Sequence, residues 1–214
     1  MRVLIVSPHA DDEVIGCGGM VARRKNDTFD LLIMALEDSV VEQADVETRQ
    51  RELEASCRIL GISKAKSLFP EMSNRLDTVW MSHIVRELDK EIEAGCYDEI
   101  FIPSPVHFHD HRVVHEACWA AMRPGAHDEV NLVAMYDNTW PGWWTPPPWG
   151  KMYFDISETL DVKGRAMLCY KSQLERHDES HPVSIHSIMT LAKTRGMEAG
   201  MEAAELYYIM RWKR

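Results

Sequence analysis

An alternation through the first 125 residues constrains this chain most: short apolar runs take turns with amphipathic stretches. Arg2–Val6, Phe29–Leu36, Lys66–Phe69 and Glu99–Pro103 read as strands. Glu13–Lys25, Val46–Leu60, Thr78–Ala94 and His111–Met122 read as helices. A continuous apolar run such as Val3-Leu4-Ile5-Val6 must be covered on both faces, as in a parallel strand flanked by crossover helices. In the second helix Leu53, Cys57 and Leu60 recur at helical spacing, and Gly61 supplies the stop. Gly95 and Arg123-Pro124-Gly125 end the next two helices. This order predicts an α/β, Rossmann-like fold: a mostly parallel sheet with helices on both faces.

After Gly125 the pattern changes. Asn131–Tyr136, Lys151–Ile156 and Leu206–Met210 read as strands, one helix starts at Thr159, and another covers Pro182–Arg195. Glu37–Asp45 is polar and acidic and reads as a loop. Trp140–Gly150 packs four tryptophans and four prolines into eleven residues, which excludes a regular helix or a central strand. Trp140, Trp143, Trp144 and Trp149 suit either a lid that stacks on a sugar or a contact between subunits of a homo-oligomer. With no internal repeat and no linker, residues 1–214 are expected to form one domain with an elaborated C-terminal third.

A doubly wound sheet places ligands beyond the carboxyl ends of its parallel strands. Two clusters fall there. His9-Ala10-Asp11-Asp12-Glu13 follows the first strand, and His107, His109, His111 and His115 follow the fourth. Carboxylates this close repel, and a divalent cation offsets the charge. His9 and Asp12, three residues apart at a strand-to-helix turn, converge as metal ligands and leave Asp11 for proton chemistry. A catalytic site needs about three protein ligands, so the second cluster is expected to supply the third. Taken alone, the first cluster also reads as an acidic helix start and the second as a polar loop.

Other chemistries find less support. Gly16-Cys17-Gly18 has Val21 where a dinucleotide-binding turn needs its third glycine, and the acids before it repel a pyrophosphate. A net charge of −10 argues against a broad grip on nucleic acid. No apolar run approaches the roughly 18 residues of a membrane span, and no charged, apolar leader is evident. Five scattered cysteines suggest reduced thiols in a cytoplasmic protein.

Pro8-His9-Ala10-Asp11-Asp12-Glu13 followed by Gly16-Cys17-Gly18-Gly19 resembles the signature of the LmbE-like, or PIG-L, family of zinc-dependent N-acetylglucosaminyl deacetylases. Arg49-Gln50-Arg51-Glu52-Leu53 with Leu60-Gly61, Asn74-Arg75-Leu76-Asp77, Asp110-His111-Arg112-Val113-Val114-His115-Glu116-Ala117 and Asp155-Ile156-Ser157-Glu158-Thr159-Leu160 resemble further segments of that family, as do His181-Pro182 and the stretch from Arg195-Gly196 through Ala204-Glu205. The resemblance implies that His9, Asp12 and His111 bind Zn2+ or another divalent transition metal. It implies that Asp11 is the general base for a water activated there, and that the reaction releases acetate from an N-acetylated amino sugar or its conjugate. An amide in a non-sugar, thiol or nucleoside conjugate is the alternative substrate, and a metal-binding protein without catalysis is the other class. The extra acid Asp11 argues against the last.

The resemblance also implies a histidine near the second motif as the acid for the leaving amine. Many relatives carry His or Asn where this chain has Phe108, so the flanking His107 and His109, and His181, are the candidates. His181 reads equally as a helix-start residue. Val183 stands where many relatives have Arg. Arg49, Asn74 and Arg75 are expected to contact the substrate, against the plainer readings of a solvated helix face and a turn. Glu13 is expected to orient the loop or a ligand.

Overall fold

A computed structural model describes residues 1–36, 46–106, 108–139 and 145–213. The polar loop expected at Glu37–Asp45, His107, and Trp140, Trp143 and Trp144 lie outside the described residues.

The first strand, β1 (Arg2–Ser7), sits mid-sheet and decides the rest. Its side chains alternate between faces. Val3 and Ile5 join one buried cluster, and Leu4 and Val6 join another on the opposite face. The first layer holds helices α1 (Asp12–Arg23), α2 (Val46–Leu60), α5 (Leu160–Met167) and α7 (Ile185–Ala199). The second holds α3 (Met81–Gly95) and α4 (His109–Ala121). Leu53, Cys57 and Leu60 are the buried stripe of α2, and Ile84, Leu88 and Ile92 that of α3. Each buried Leu or Ile of these stripes contributes about 1.5–3 kcal/mol relative to exposure.

The seven-stranded sheet adds β2 (Thr28–Ile33), β3 (Lys64–Ser67), β4 (Glu99–Pro103), β5 (Leu132–Tyr136), β6 (Lys151–Asp155) and β7 (Ala204–Trp212), in the order β3-β2-β1-β4-β5-β7-β6. The five strands from β3 to β5 are mutually parallel. β7 runs antiparallel to both β5 and β6. The expected α/β, mostly parallel sheet with helices on both faces is therefore present, and the C-terminal third extends its edge.

Local differences have local causes. The third helix starts at Met81, not Thr78, because Leu76–Thr78 closes a 3-10 turn first. Its last residue is Gly95, and Cys96 takes the left-handed exit at φ 50°. The last helix begins after Pro182, at Ile185, where the Ser184 hydroxyl accepts the Ser187 N–H. The one-turn helix α6 (Lys171–Leu174) was not foreseen, being too short to show a period. Among the described residues no helix is long and apolar enough to cross a membrane.

Candidate metal centre and active site

The chain leaves β1 towards β2 and β3 on one side, then returns to β4 on the other. That reversal opens a crevice at the carboxyl ends of β1 and β4. His9 to Asp12 follow β1, and His111 follows β4 in the first turn of α4. One ligand atom from each of His9, Asp12 and His111 lies within 4.8 Å of the others. Asp12 Oδ2 is 3.6 Å from His9 Nδ1 and 3.3 Å from His111 Nε2. It also accepts the His9 backbone N–H at 3.1 Å.

The donor set fits a divalent transition metal: two imidazoles and a carboxylate, converging and mostly buried. His111 Nδ1 is buried and has no hydrogen-bond partner among the described residues. The other His9 nitrogen, Nε2, meets Asp110 Oδ2 at 2.9 Å, which fixes the ring as outer carboxylates fix metal-binding histidines. Asp110 is itself anchored by the N–H groups of Asn74 at 2.6 Å and Leu76 at 3.3 Å. Burial pushes the Asp110 carboxyl up, but these bonds hold it below its usual range. Burial would lower His9, yet Asp110 and Asp12 outweigh it and raise the metal-free imidazole to about 10. Burial pushes Asp12 up, but His111 and His9 hold it well below the carboxylate range.

Asp11 differs from its neighbour. It faces the same cavity, and burial together with the adjacent Asp12 charge raises it to about 8. The nearest cation is Arg49, 3.9 Å from Asp11 Oδ2. The Asp11 backbone has φ 129° and ψ −30°, a conformation that a residue with a Cβ rarely adopts.

The cavity is about 270 Å³ in volume, room for a compact ligand group. One side carries His9, Asp11, Asp12, His111 and Asn138. Another carries Gln173 of α6 with Arg176, His177, His181 and Val183 from the segment between α6 and α7. The His177 and His181 rings stack in parallel, 3.4 Å between centroids. His181 Nδ1 accepts the Val183 N–H at 3.3 Å, so its neutral ring carries the proton on Nε2.

The other candidates divide. Asn74 lines the cavity in a left-handed conformation at φ 59°. Arg49 lines it too, but it is not on a solvated face: only 2% of it is exposed. Its guanidinium donates to the Ala10 carbonyl, to Glu52 at 3.1 Å and to Ser172 at 3.3 Å. Arg75 and His109 are not in the cavity wall. Arg75 turns back onto the Glu71 carbonyl, and the half-exposed His109 pairs with Asp77 at 3.1 Å. His109 is drawn away because it opens α4 on the outer face, whereas Asp110 and His111 face inward. Phe108 lines the cavity and packs near His111, ring centroids 6.0 Å apart.

Sequence reasoning did not single out Asn138, whose Nδ2 lies 3.5 Å from Asp12 Oδ1, or Asp110 as an orienting group. The rule that found the first two loops could have found Asn138 as well, since it follows the parallel strand β5.

The whole fold is shared with several solved structures. A conserved protein from Thermus thermophilus is 21% identical, with a TM-score of 0.76 over 96% of this chain and 93% of its own. The N,N'-diacetylchitobiose deacetylase of Pyrococcus horikoshii is also 21% identical, with a TM-score of 0.76 over 98% of this chain and 83% of its own. The 4-carboxy-2-hydroxymuconate hydratase of Pseudomonas putida matches at 18% identity and a TM-score of 0.74, over 100% and 97%. Residues 4–122, more than half of the chain, match the PIG-L family, described as GlcNAc-PI de-N-acetylase. That span includes both metal-facing loops, and the chain belongs to this family of amide hydrolases.

Proposed function

We propose that the protein is a metal-dependent N-deacetylase that releases acetate from an N-acetylated amino sugar or its conjugate, with zinc as the preferred metal. The observation that carries this reading is the mostly buried His9–Asp12–His111 set with a separate, unspent acid, Asp11, in the same small cavity. A purely structural site has no use for that extra acid. Membership in a de-N-acetylase family supports the choice of amide. A divalent ion held by His9, Asp12 and His111 would supply an acidified water and polarise the amide carbonyl.

The remaining steps belong to the protein. Asp11 takes a proton from the attacking water as the new C–O bond forms. Burial and the Asp12 charge raise its carboxyl in the metal-free protein, and beside a bound cation it would be drawn back down to the ionised form a base needs. The C–N bond then breaks, and the departing nitrogen needs a proton. The proton that Asp11 took from the water supplies it, and His181, in the cavity wall with its N–H on Nε2, is the residue we assign, in preference to His109, to hydrogen-bond the charge that develops at the reacting centre. Asn74 is the side-chain candidate for a substrate hydroxyl, and Asn138 steadies Asp12.

Acetate release from a panel of N-acetylated amino sugars and their conjugates tests the reading. Metal-loaded protein should be active and EDTA-treated protein inactive, with activity restored by Zn2+. Full activity without metal, or acetate released only from non-sugar amides, would refute it.

A further inference from the structure

Glu13 is the third acid of the opening motif and has no part in the chemistry above. It is fully buried, and its carboxylate is spoken for. Oε2 accepts the Asp11 backbone N–H at 2.9 Å. Oε1 accepts the Tyr170 hydroxyl and, at 3.5 Å, the Ser56 hydroxyl. On the other side Arg49 donates to the Ala10 carbonyl. The Ala10 carbonyl and the Asp11 N–H are the two polar ends of one peptide group. One buried carboxyl group therefore holds its nitrogen, and one buried guanidinium holds its oxygen. Tyr170 joins the two holders: its hydroxyl meets Glu13, and its ring lies 5.4 Å from the Arg49 guanidinium. Glu52 and Ser172 fix Arg49 in turn.

The clamped peptide immediately precedes the strained torsion. With the plane of the Ala10–Asp11 peptide fixed, rotation about the Asp11 N–Cα bond decides where the carboxylate points. That rotation sits at φ 129°. A free aspartate relaxes to negative φ, at a gain of order 1–3 kcal/mol, so surrounding contacts must hold it.

We infer that Glu13 and Arg49, joined through Tyr170, form a peptide clamp that keeps Asp11 in its strained conformation and so aims the base into the cavity. They are positioning residues, and the sequence-based expectation that Arg49 binds substrate gives way to this role. As a statement about catalysis the inference rests on the deacetylase reading; as a statement about conformation it does not.

The test is Glu13→Ala, with Glu13→Gln as the conservative variant, because a glutamine oxygen still accepts the Asp11 N–H. Clamp loss should lower kcat roughly 10- to 100-fold, the scale of a base displaced by about 1 Å. KM and the zinc dissociation constant should stay within about twofold, and Glu13→Gln should recover most of the rate. In an Asp11→Asn background, Glu13→Ala should cost nothing further, since there is no base left to aim. A crystal structure of the variant should show Asp11 at negative φ. An unchanged kcat, a full additional loss in the Asp11→Asn background, or φ still near 129° would each overturn the clamp. Should Glu13→Ala fail to fold, Tyr170→Phe, which removes one hydroxyl, is read on the same criteria. If the unmodified protein releases no acetate, the deacetylase reading fails, while the crystallographic arm still decides the clamp.

Discussion

The two halves of helix α1 bury carboxylates to opposite ends. Its second half is gripped by Glu205 of β7, which accepts the N–H groups of Gly19 at 2.8 Å and Met20 at 2.9 Å, the Tyr207 hydroxyl at 2.9 Å and the Lys163 ammonium at 2.6 Å. Lys163 also donates to the Ile15 carbonyl at 2.7 Å. Every charge there is matched, and the result is packing. At the first turn, Asp11, Asp12 and Glu13 crowd one another. Burial and the neighbouring acid raise Asp11 to about 8, and its backbone is strained. A buried acid surrounded by donors and a cation builds structure; one buried beside other acids is primed for protons and metal.

Changes at the two ends should therefore fail differently. At the first turn, Asp11→Asn should lower kcat on the order of 10²- to 10⁴-fold without lowering the melting temperature, as steady-state acetate release and calorimetry would show. An unchanged rate would remove the base from the proposal. At the second half, Glu205→Ala leaves Lys163 buried without its partner. It should destabilise the fold by roughly 3–5 kcal/mol, measured by urea unfolding, and any loss of activity should follow the loss of folded protein. Gly16→Ala probes the packing between the two ends. A Cβ there would sit 2.2 Å from the Tyr136 ring, and the ring must move. About 1–3 kcal/mol of stability should be lost, with zinc affinity little changed.

A further effect is one of pH. In the metal-free protein Asp11 keeps its proton up to about 8, whereas the unfolded chain releases it near its ordinary value of 3.8. Folded protein thus binds more protons across that window, so stability falls as pH rises through it and levels off above it. His9, raised from 6.5 to about 10, adds a fall in the same direction at higher pH. Urea midpoints of EDTA-treated protein at pH 5 and pH 8 should show the decline, and Asp11→Asn should flatten it. Since metal competes with these protons, zinc should raise the melting temperature more at pH 8 than at pH 6. A pH-independent zinc effect would count against His9 as a ligand.

Much of this was legible before any coordinates. The apolar runs Val3-Leu4-Ile5-Val6 and Glu99–Pro103 announce buried parallel strands because their periodicity is local. From that, the general rule for such sheets brings His9 and His111 to one crevice across about a hundred residues. Family membership followed from the same short motifs. What sequence alone could not give is direction. His109 and His111 are two residues apart, yet one pairs with Asp77 outside and the other faces Asp12. The turn of the helix, together with where its first residue falls, separates them. For Arg49 the sequence offered a substrate contact or a solvated helix face; only packing against Tyr170 and Ser172 shows it buried and held by the protein. The seats of Glu13 and Glu205 likewise depend on partners more than forty residues away, because a buried charge is satisfied by whatever the fold brings to it, and spacing along the chain does not record that.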